Sequence, residues 1–347
     1  DDVVFSGYQR DSYLVNAHVP RFGSGEAKGV IDESVRGMDL YILVDVCNYS
    51  LTYSMSGNTN HMSPDDHYQN LKRIIAAVGG KAKRINVIMP FLYESRQHKR
   101  SSRESLDCAL ALQELTHMGV DNIITFDAHD PRVQNAIPLS GFETVRPTYQ
   151  FVKGLLDRYD DLIIDSDHMM AISPDEGATE RAVYLANVLN LDMGMFYKRR
   201  DYTRVVNGRN PIVAHEFLGS SVEGKDVIIL DDMISSGDSI LDVAKQLKSR
   251  NAKRIFAAAT FGLFTNGLDK FDEAYESGLI DGVLTTNLIY QTPELLSRPY
   301  YINCDMSKYV ALMIDTLNHD GSISDILDPS ERIQVCVEEY KKAHGQL

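Results

Sequence analysis

Two adjacent carboxylates, Asp231 and Asp232, are separated by Met233-Ile234 from a small polar run, Ser235-Ser236-Gly237-Asp238-Ser239. A Ser- and Gly-rich loop opening onto a helix offers backbone N–H groups, hydroxyl donors and the positive end of the helix dipole, which together suit a phosphate. The acidic pair beside it can take ribose hydroxyls or Mg²⁺, so the combination suits a phosphorylated sugar better than a bare anion. The structural alternative is a plain strand end followed by a helix cap. Asp238 facing a phosphate at about 6 Å and an effective dielectric of about 20 would cost roughly 3 kcal/mol per unit charge. It is therefore expected to point away and cap its helix.

These groups need a strand and a helix to hold them. Val227–Leu230, after the turn Glu223-Gly224-Lys225, reads as a short buried strand of a parallel sheet with both carboxylates at its C-terminal end. Ile240, Leu241, Val243, Ala244 and Leu247 then share one helical face. The segment also has a counterpart upstream. Val35–Leu43 parallels Val222–Leu230, Ala82–Ile85 recurs as Ala252–Ile255, and Gly119–Thr125 is answered by Gly278–Thr285 with one residue inserted. Three matches in the same order imply two α/β units, each with a parallel sheet.

Other candidates lie along the chain. A strand over Ile123–Phe126 closes on Asp127-Ala128-His129-Asp130, where a His between two Asp suits Mg²⁺ or a phosphate, or is a satisfied structural histidine. Arg96, Lys99, Arg100 and Arg103 form either a solvated face or an anion site. Arg21–Glu26 reads as a hairpin tip. Asn48–Asp66, polar and without a period, reads as a long loop, and His61 and His67 as solvated histidines. Residues Tyr68–Val78 and Tyr149–Tyr159 read as helices, and Ile172–Thr179 as a strand-end loop feeding a helix from Glu180. Met195–Tyr197 continues a strand into Lys198-Arg199-Arg200. Asp201–Glu216, polar with Gly208 and Pro211, reads as a mobile basic loop able to close over a reaction, or as an ordinary basic hairpin. Helices are expected over Lys308–Leu317 and Glu331–Ala343.

The chain has 347 residues, 44% of them apolar, and a net charge of −14. That length accommodates two cores, and the charge disfavours nucleic acid. No run approaches a membrane span, and the first residues resemble neither a signal nor a transit peptide. Cys47, Cys108, Cys304 and Cys336 lack metal-ligand spacing, which favours free thiols in a reducing cytoplasm. A phosphate substrate would need Mg²⁺ and a local basic cluster to offset the acidic field.

The acidic pair and loop resemble the diphosphate-sugar loop shared by phosphoribosyltransferases and their sugar-activating relatives. Phe22–Glu26, Glu33–Gly37, Arg96-Gln97, Asp127–His129, Ser173–Asp175, Lys198–Arg200 and Asp231–Ser239, in that order, resemble the ribose-phosphate pyrophosphokinase family along almost the whole chain. The resemblance implies two duplicated phosphoribosyltransferase-like domains, each with a mainly parallel sheet flanked by helices. Their expected spans are 1–146 (ATP side), 147–300 (ribose 5-phosphate loop) and a helical tail, 301–347. It implies transfer of the β,γ-diphosphoryl group of ATP to the anomeric hydroxyl of ribose 5-phosphate. By the same resemblance, Phe22 and Glu26 help hold an adenine from a neighbouring subunit, and Arg96 and Gln97 contact ATP. His129 and Asp175 would organise Mg²⁺. Asp231 and Asp232 would meet the ribose hydroxyls, with Ser235, Ser236, Gly237, Asp238 and Ser239 around the 5-phosphate. Lys198 and Arg200 would bracket the transferred group. The shared adenine site implies a dimer-based homo-oligomer, up to a hexamer.

The chain departs from the family pattern at Gly23-Ser24 (for Ser-Asp), His98 (for Asp), Ala178 (for Gly), Ser235 (for Asp) and Asp238 (for Gly), and by the Asn48–Asp66 insertion. Two alternatives follow: a non-catalytic regulatory homologue that binds an active subunit, and a nucleobase phosphoribosyltransferase. The retained Lys198 and Arg200 count against the first, and the second needs only one such domain.

Overall fold

The structure is a computed structural model that describes residues 12–200 and 212–346, with backbone alone at 198–200 and 212–215. The chain forms two compact units, residues 1–124 with 132–143, and residues 125–131 with 144–347.

In the first unit, β1 (Ala17–His18) and β2 (Val30–Ile31) pair antiparallel, β3 (Asp39–Leu43) follows, and β4 (Thr52–Met55) pairs antiparallel with β5 (Asn58–His61). Then come α1 (Pro64–Val78), β6 (Arg84–Ile88), α2 (Asp107–His117), β7 (Asn122–Phe126) and β8 (Gly141–Val145), the last two residues of β7 and of β8 being assigned to the second unit. Strands β3, β6, β7 and β8 form one sheet in that order, with β3–β6 and β6–β7 parallel. The second unit contains α3 (Thr148–Arg158), β9 (Met169–Ser173), α4 (Thr179–Leu189), β10 (Asp192–Arg200), β11 (Ile212–Leu218) and β12 (Asp226–Ile234). It continues through α5 (Asp238–Lys248), β13 (Arg254–Gly262), α6 (Asp269–Glu276), β14 (Gly282–Thr286), α7 (Pro293–Leu296), β15 (Tyr301–Cys304), α8 (Ser307–Asn318), α9 (Ser324–Leu327) and α10 (Ser330–Ala343).

The second sheet runs β11-β10-β9-β12-β13-β14-β15 and is parallel except at the β10–β11 edge. Its central strands read as continuous apolar runs because both faces are covered. On β12, Ile228 and Leu230 pack with residues of α3, α4 and α10, whereas Val227 and Ile229 pack with residues of α5 and α6. The two-residue side-chain period of a strand thus feeds two cores at once.

The internal repeat extends to individual hydrogen bonds. Asp39 pairs in register with Arg84, and Asp226 with Arg254. Arg84 Nε donates to Asp39 Oδ1 at 2.6 Å and its Nη2 to Asp39 Oδ2, and Arg254 Nε and Nη2 donate to the two Asp226 oxygens at 2.9 and 2.7 Å. Asp121 Oδ2 accepts from the Ile85 N–H, and Asp281 Oδ2 from the Ile255 N–H, each at 2.8 Å. Both units therefore use an aspartate at one strand start, an arginine at the next and a second aspartate before the third to set the stagger of their parallel strands.

Three local expectations are corrected. Asn48–Asp66 is not one loop: β4 and β5 form a hairpin closed by Ser56-Gly57, whose φ values of +50° and +80° are those of a type I′ turn. The α1 helix begins at Pro64 rather than near Tyr68, because Ser63 and Asp66 form a reciprocal capping box. His67 is 6% exposed rather than solvated, its Nε2 lying 2.8 Å from the Asn48 carbonyl, while His61 remains exposed.

Candidate active site

β12 carries the acidic pair further along the sheet than its apolar run indicates. The strand continues past Leu230 to Ile234, pairing Asp231 with Ala259 and Ile234 with Gly262, so both carboxylates stand on the strand itself. Their carboxyl groups interact side chain to side chain. Asp232 is 4% exposed and Asp231 partly so, and the Asp232 N–H donates to Asp231 Oδ1 at 2.9 Å.

His129 reaches this pair from the segment after β7, within the second unit. Its Nδ1 lies 2.7 Å from Asp232 Oδ2. The turn that delivers it passes through Asp127 at φ +43°, a left-handed conformation uncommon for a side-chain-bearing residue and held here by its contacts. Asp127 accepts from Arg181 Nε at 2.7 Å and from Thr260 Oγ1 at 2.7 Å, and Arg181 Nη2 donates to the Ala128 carbonyl at 3.2 Å. Asp127 thus builds the pedestal and His129 is the group presented.

The charges are unevenly compensated. Burial pushes the Asp231 carboxyl well above the usual range, and the neighbouring charges of Asp232 and Asp175 add to the effect. For Asp232, burial acts upward but is outweighed by the His129 hydrogen bond and the Arg181 charge, leaving it below the usual range. Burial also raises Asp127 despite Arg181. Arg181, for which burial alone would lower the pKa, is raised by the charges of Asp127, Asp232 and Asp231. A cation or a set of hydroxyl donors near Asp231 would relieve the remaining repulsion.

The polar loop follows directly. Gly237 is the N-cap of α5 at φ +82°, and a Cβ there would meet the Phe271 ring at 2.4 Å, so both backbone conformation and close approach require glycine. Gly237 has no side chain to cap this end of α5, and Ser236 Oγ accepts the Asp238 N–H at 3.4 Å. Asp238 does not cap it: the residue sits in the first turn with its carboxylate turned to Lys270 Nζ at 2.5 Å, which lowers its pKa. The carboxylate is therefore held by ion pairing with Lys270 and by the Ser236 side chain, and not by capping. Ser235 lies 3.5 Å, hydroxyl to hydroxyl, from Thr265. On the loop after β9, Asp175 Oδ1 accepts the Gly177 N–H at 3.0 Å and the Asp175 carbonyl accepts from Ser173 Oγ at 2.6 Å.

Lys198 and Arg200 stand on β10, with Lys198 in register with His215 and Arg200 with Ile212 of β11. Their side chains, and residues 201–211 of the expected mobile loop, lie outside the described residues; the loop's remaining part, 212–216, belongs to strand β11. Phe22, Glu26, Arg96 and Gln97 all belong to the first unit. The 21–27 segment is a tight turn, with Phe22 54% exposed and Glu26 accepting from Ser24 Oγ at 3.0 Å. Gln97 Nε2 donates to the Ser105 carbonyl at 2.8 Å, and Arg96 is exposed.

Arg181 was missed by sequence reasoning. Its signal is positional: a cation in the first turn of α4 opposes the helix dipole, which points to a carboxylate that holds it.

Asp231, Asp232 and Asp175 are oxygen donors of the kind Mg²⁺ takes, usually one or two carboxylates completed by waters and substrate phosphates. Among the described residues, no three His, Cys, Asp or Glu side chains converge into a closed cage. The donor set fits a hard cation shared with a polyphosphate better than a resident structural ion.

Residues 9–119 match the family described as the N-terminal domain of ribose phosphate pyrophosphokinase, and residues 146–285 match the phosphoribosyl transferase domain. The chain is 31% identical over 272 residues to a ribose-phosphate pyrophosphokinase of Mycoplasma genitalium, covering 78% of this chain and 74% of that protein. It is 29% identical over 315 residues to that of Vibrio parahaemolyticus, covering 90% of each. Among solved structures it resembles a phosphoribosylpyrophosphate synthetase from Mycobacterium smegmatis, with a TM-score of 0.73 at 23% identity over 90% of this chain and 93% of that one. That likeness shows the fold: two phosphoribosyltransferase-like domains with parallel sheets flanked by helices.

Proposed function

From its membership of the ribose-phosphate pyrophosphokinase family, to which this chain belongs, we propose that the protein is a ribose-phosphate diphosphokinase acting on ATP and ribose 5-phosphate. The anomeric hydroxyl oxygen of the sugar bonds the β-phosphorus of ATP as that phosphorus breaks its bond to the α,β-bridging oxygen, and the hydroxyl proton is released to solvent. AMP leaves with the bridging oxygen, and 5-phosphoribosyl 1-diphosphate (PRPP) is the other product.

The observation that carries this reading is the Asp231-Asp232 pair on β12, leading into the Ser235–Ser239 loop at the start of α5, with His129 held on Asp232. Phosphoryl transfer needs in-line positioning and charge neutralisation more than a covalent partner. Asp231 and Asp232 accept hydrogen bonds from the ribose hydroxyls and so orient the sugar. Ser235, Ser236, Gly237, Asp238 and Ser239 surround its 5-phosphate through N–H groups and hydroxyls, with the Asp238 carboxylate offset by its pairing with Lys270. Arg96 and Gln97 hold ATP, whose base rests on Phe22 and Glu26 of a neighbouring subunit in a homo-oligomer of at least two chains. Lys198 and Arg200 bring positive charge to the transferred group. When bound, Mg²⁺ held near His129 and Asp175 neutralises phosphate charge.

Among the described residues no helix is long and apolar enough to cross a membrane. The scattered cysteines, free among the described residues, fit a cytoplasmic setting. The test is purified protein with ATP, Mg²⁺ and ribose 5-phosphate, with AMP and PRPP followed together. Equimolar AMP and PRPP are expected. No AMP above background across a panel of nucleotides and divalent metals overturns the proposal.

A further inference from the structure

The hairpin β4–β5 has no place in the reaction just described, yet it grips the turn assigned to the nucleotide base. Its tip donates the Ser56 N–H to the Gly23 carbonyl at 3.0 Å. On β4, the Tyr53 ring lies under the Arg21 guanidinium, 4.2 Å from carbon to centroid. Arg21 in turn donates to the Gly25 carbonyl at 3.0 Å and to Asp66 Oδ1 at 3.2 Å. Gly25 sits at φ +93° with Met55 packed where a Cβ would go. The turn itself is closed by Phe22 N–H to the Glu26 carbonyl at 2.7 Å and Gly25 N–H to the Phe22 carbonyl at 2.8 Å. Beyond the bonds inside the turn and the Lys28 N–H to Pro20 carbonyl link at its base, the turn is thus held from outside by Arg21 and the hairpin.

We propose that the 52–61 hairpin, acting through Tyr53 and Arg21, is the positioning element for nucleotide-base binding. This rests on the reading of Phe22 and Glu26 as the base site. Tyr53 touches no substrate. Its ring fixes the guanidinium plane, and the guanidinium fixes the Gly25 carbonyl and so the turn. A planar cation over an aromatic face is oriented as well as attracted, which neither an aliphatic cover nor a lysine reproduces. Holding the turn in its binding conformation before the base arrives removes an ordering cost that binding would otherwise carry. The effect falls on nucleotide affinity and not on the sugar site or the chemical step.

The test compares Tyr53→Ala, Tyr53→Leu, Tyr53→Phe and Phe22→Ala in the full chain. It measures kcat, both KM values and calorimetric binding of α,β-methylene ATP. Tyr53→Ala and Tyr53→Leu are expected to raise the KM for ATP and weaken analogue binding by about tenfold. Their kcat and KM for ribose 5-phosphate should stay within about twofold of the parent, and Tyr53→Phe, which keeps the ring, should match it. Tyr53→Leu decides the matter should the alanine variant fold poorly. A change of kcat and both KM values together would make the hairpin a general structural prop and overturn the proposal. An unchanged KM for ATP in the Tyr53 variants, with a raised one in Phe22→Ala, would overturn it while leaving the base site standing. Unchanged nucleotide binding in Phe22→Ala would remove the base site and this proposal with it.

Discussion

His129 Nδ1 lies 2.7 Å from Asp232 Oδ2, joining residues 103 positions apart into one unit. Asp232 is 5% exposed at its side chain and His129 36%, so the imidazole is the presented partner and the carboxylate its anchor. Residues that act together lose their effect together. His129→Ala and Asp232→Ala should each lower kcat/KM for PRPP formation by on the order of 10²-fold, and the double variant should be little worse than the weaker single. Full multiplication of the two losses would show that the contact has no functional meaning.

Lys198 stands on β10 beside β11 and opens the run Lys198-Arg199-Arg200. A charge that meets the diphosphoryl group only as it transfers affects turnover more than sugar binding. Lys198→Ala is expected to lower kcat by on the order of 10²-fold while changing the KM for ribose 5-phosphate little. Steady-state kinetics with unaltered turnover would remove Lys198 from the reaction.

Much of this architecture is legible in the chain because parallel strands buried on both faces read as uninterrupted apolar runs. Val227–Leu230 shows it, and the repeats of Ala82–Ile85 as Ala252–Ile255 and of Gly119–Thr125 as Gly278–Thr285 mark the two-unit plan, although β6 and β7 each bury a polar residue, Asn86 and Thr125. What was hidden follows from the same logic. β12 runs on through Asp231 and Asp232, where charged residues break the apolar signal although the backbone pairing continues. Strand β5 is polar throughout, and the alternation Leu51-Thr52-Tyr53-Ser54-Met55 covers one short strand alone, so Ser56-Gly57 is the clearest mark of the turn. Arg181 is joined to Asp127 and placed near Asp232 by tertiary folding alone.

The Asp226–Arg254 pair is the more deeply buried of the two repeated clamps. Asp226 is 2% exposed and receives two hydrogen bonds from Arg254, which also donates to Asp161 at 2.7 Å. Removing one partner leaves a buried charge without compensation, at a cost of about 3–5 kcal/mol. Arg254→Ala should lose about that much in urea denaturation, whereas the paired change Asp226→Leu with Arg254→Met should recover most of it. Equal losses in the single and paired variants would mean that strand stagger, not charge burial, sets the cost.

Acid sensitivity should be traceable to the start of α1. Burial acts to raise the Asp66 pKa, but the Ser63 backbone and hydroxyl and the Arg21 charge outweigh it and hold the carboxyl below its ordinary value. A folded pKa below the unfolded one contributes stability above the unfolded value, about 3.9, and loses it as pH falls through the folded value. Ser63→Ala removes the cap and should cost about 1 kcal/mol at pH 7. It also lets the Asp66 carboxyl return toward its ordinary value, so the gap between parent and variant should narrow as pH drops below about 4. Urea unfolding of both proteins at pH 7 and pH 3 reads the two gaps. A gap that is constant or widens toward pH 3 would separate the cap's contribution from the ionisation of Asp66.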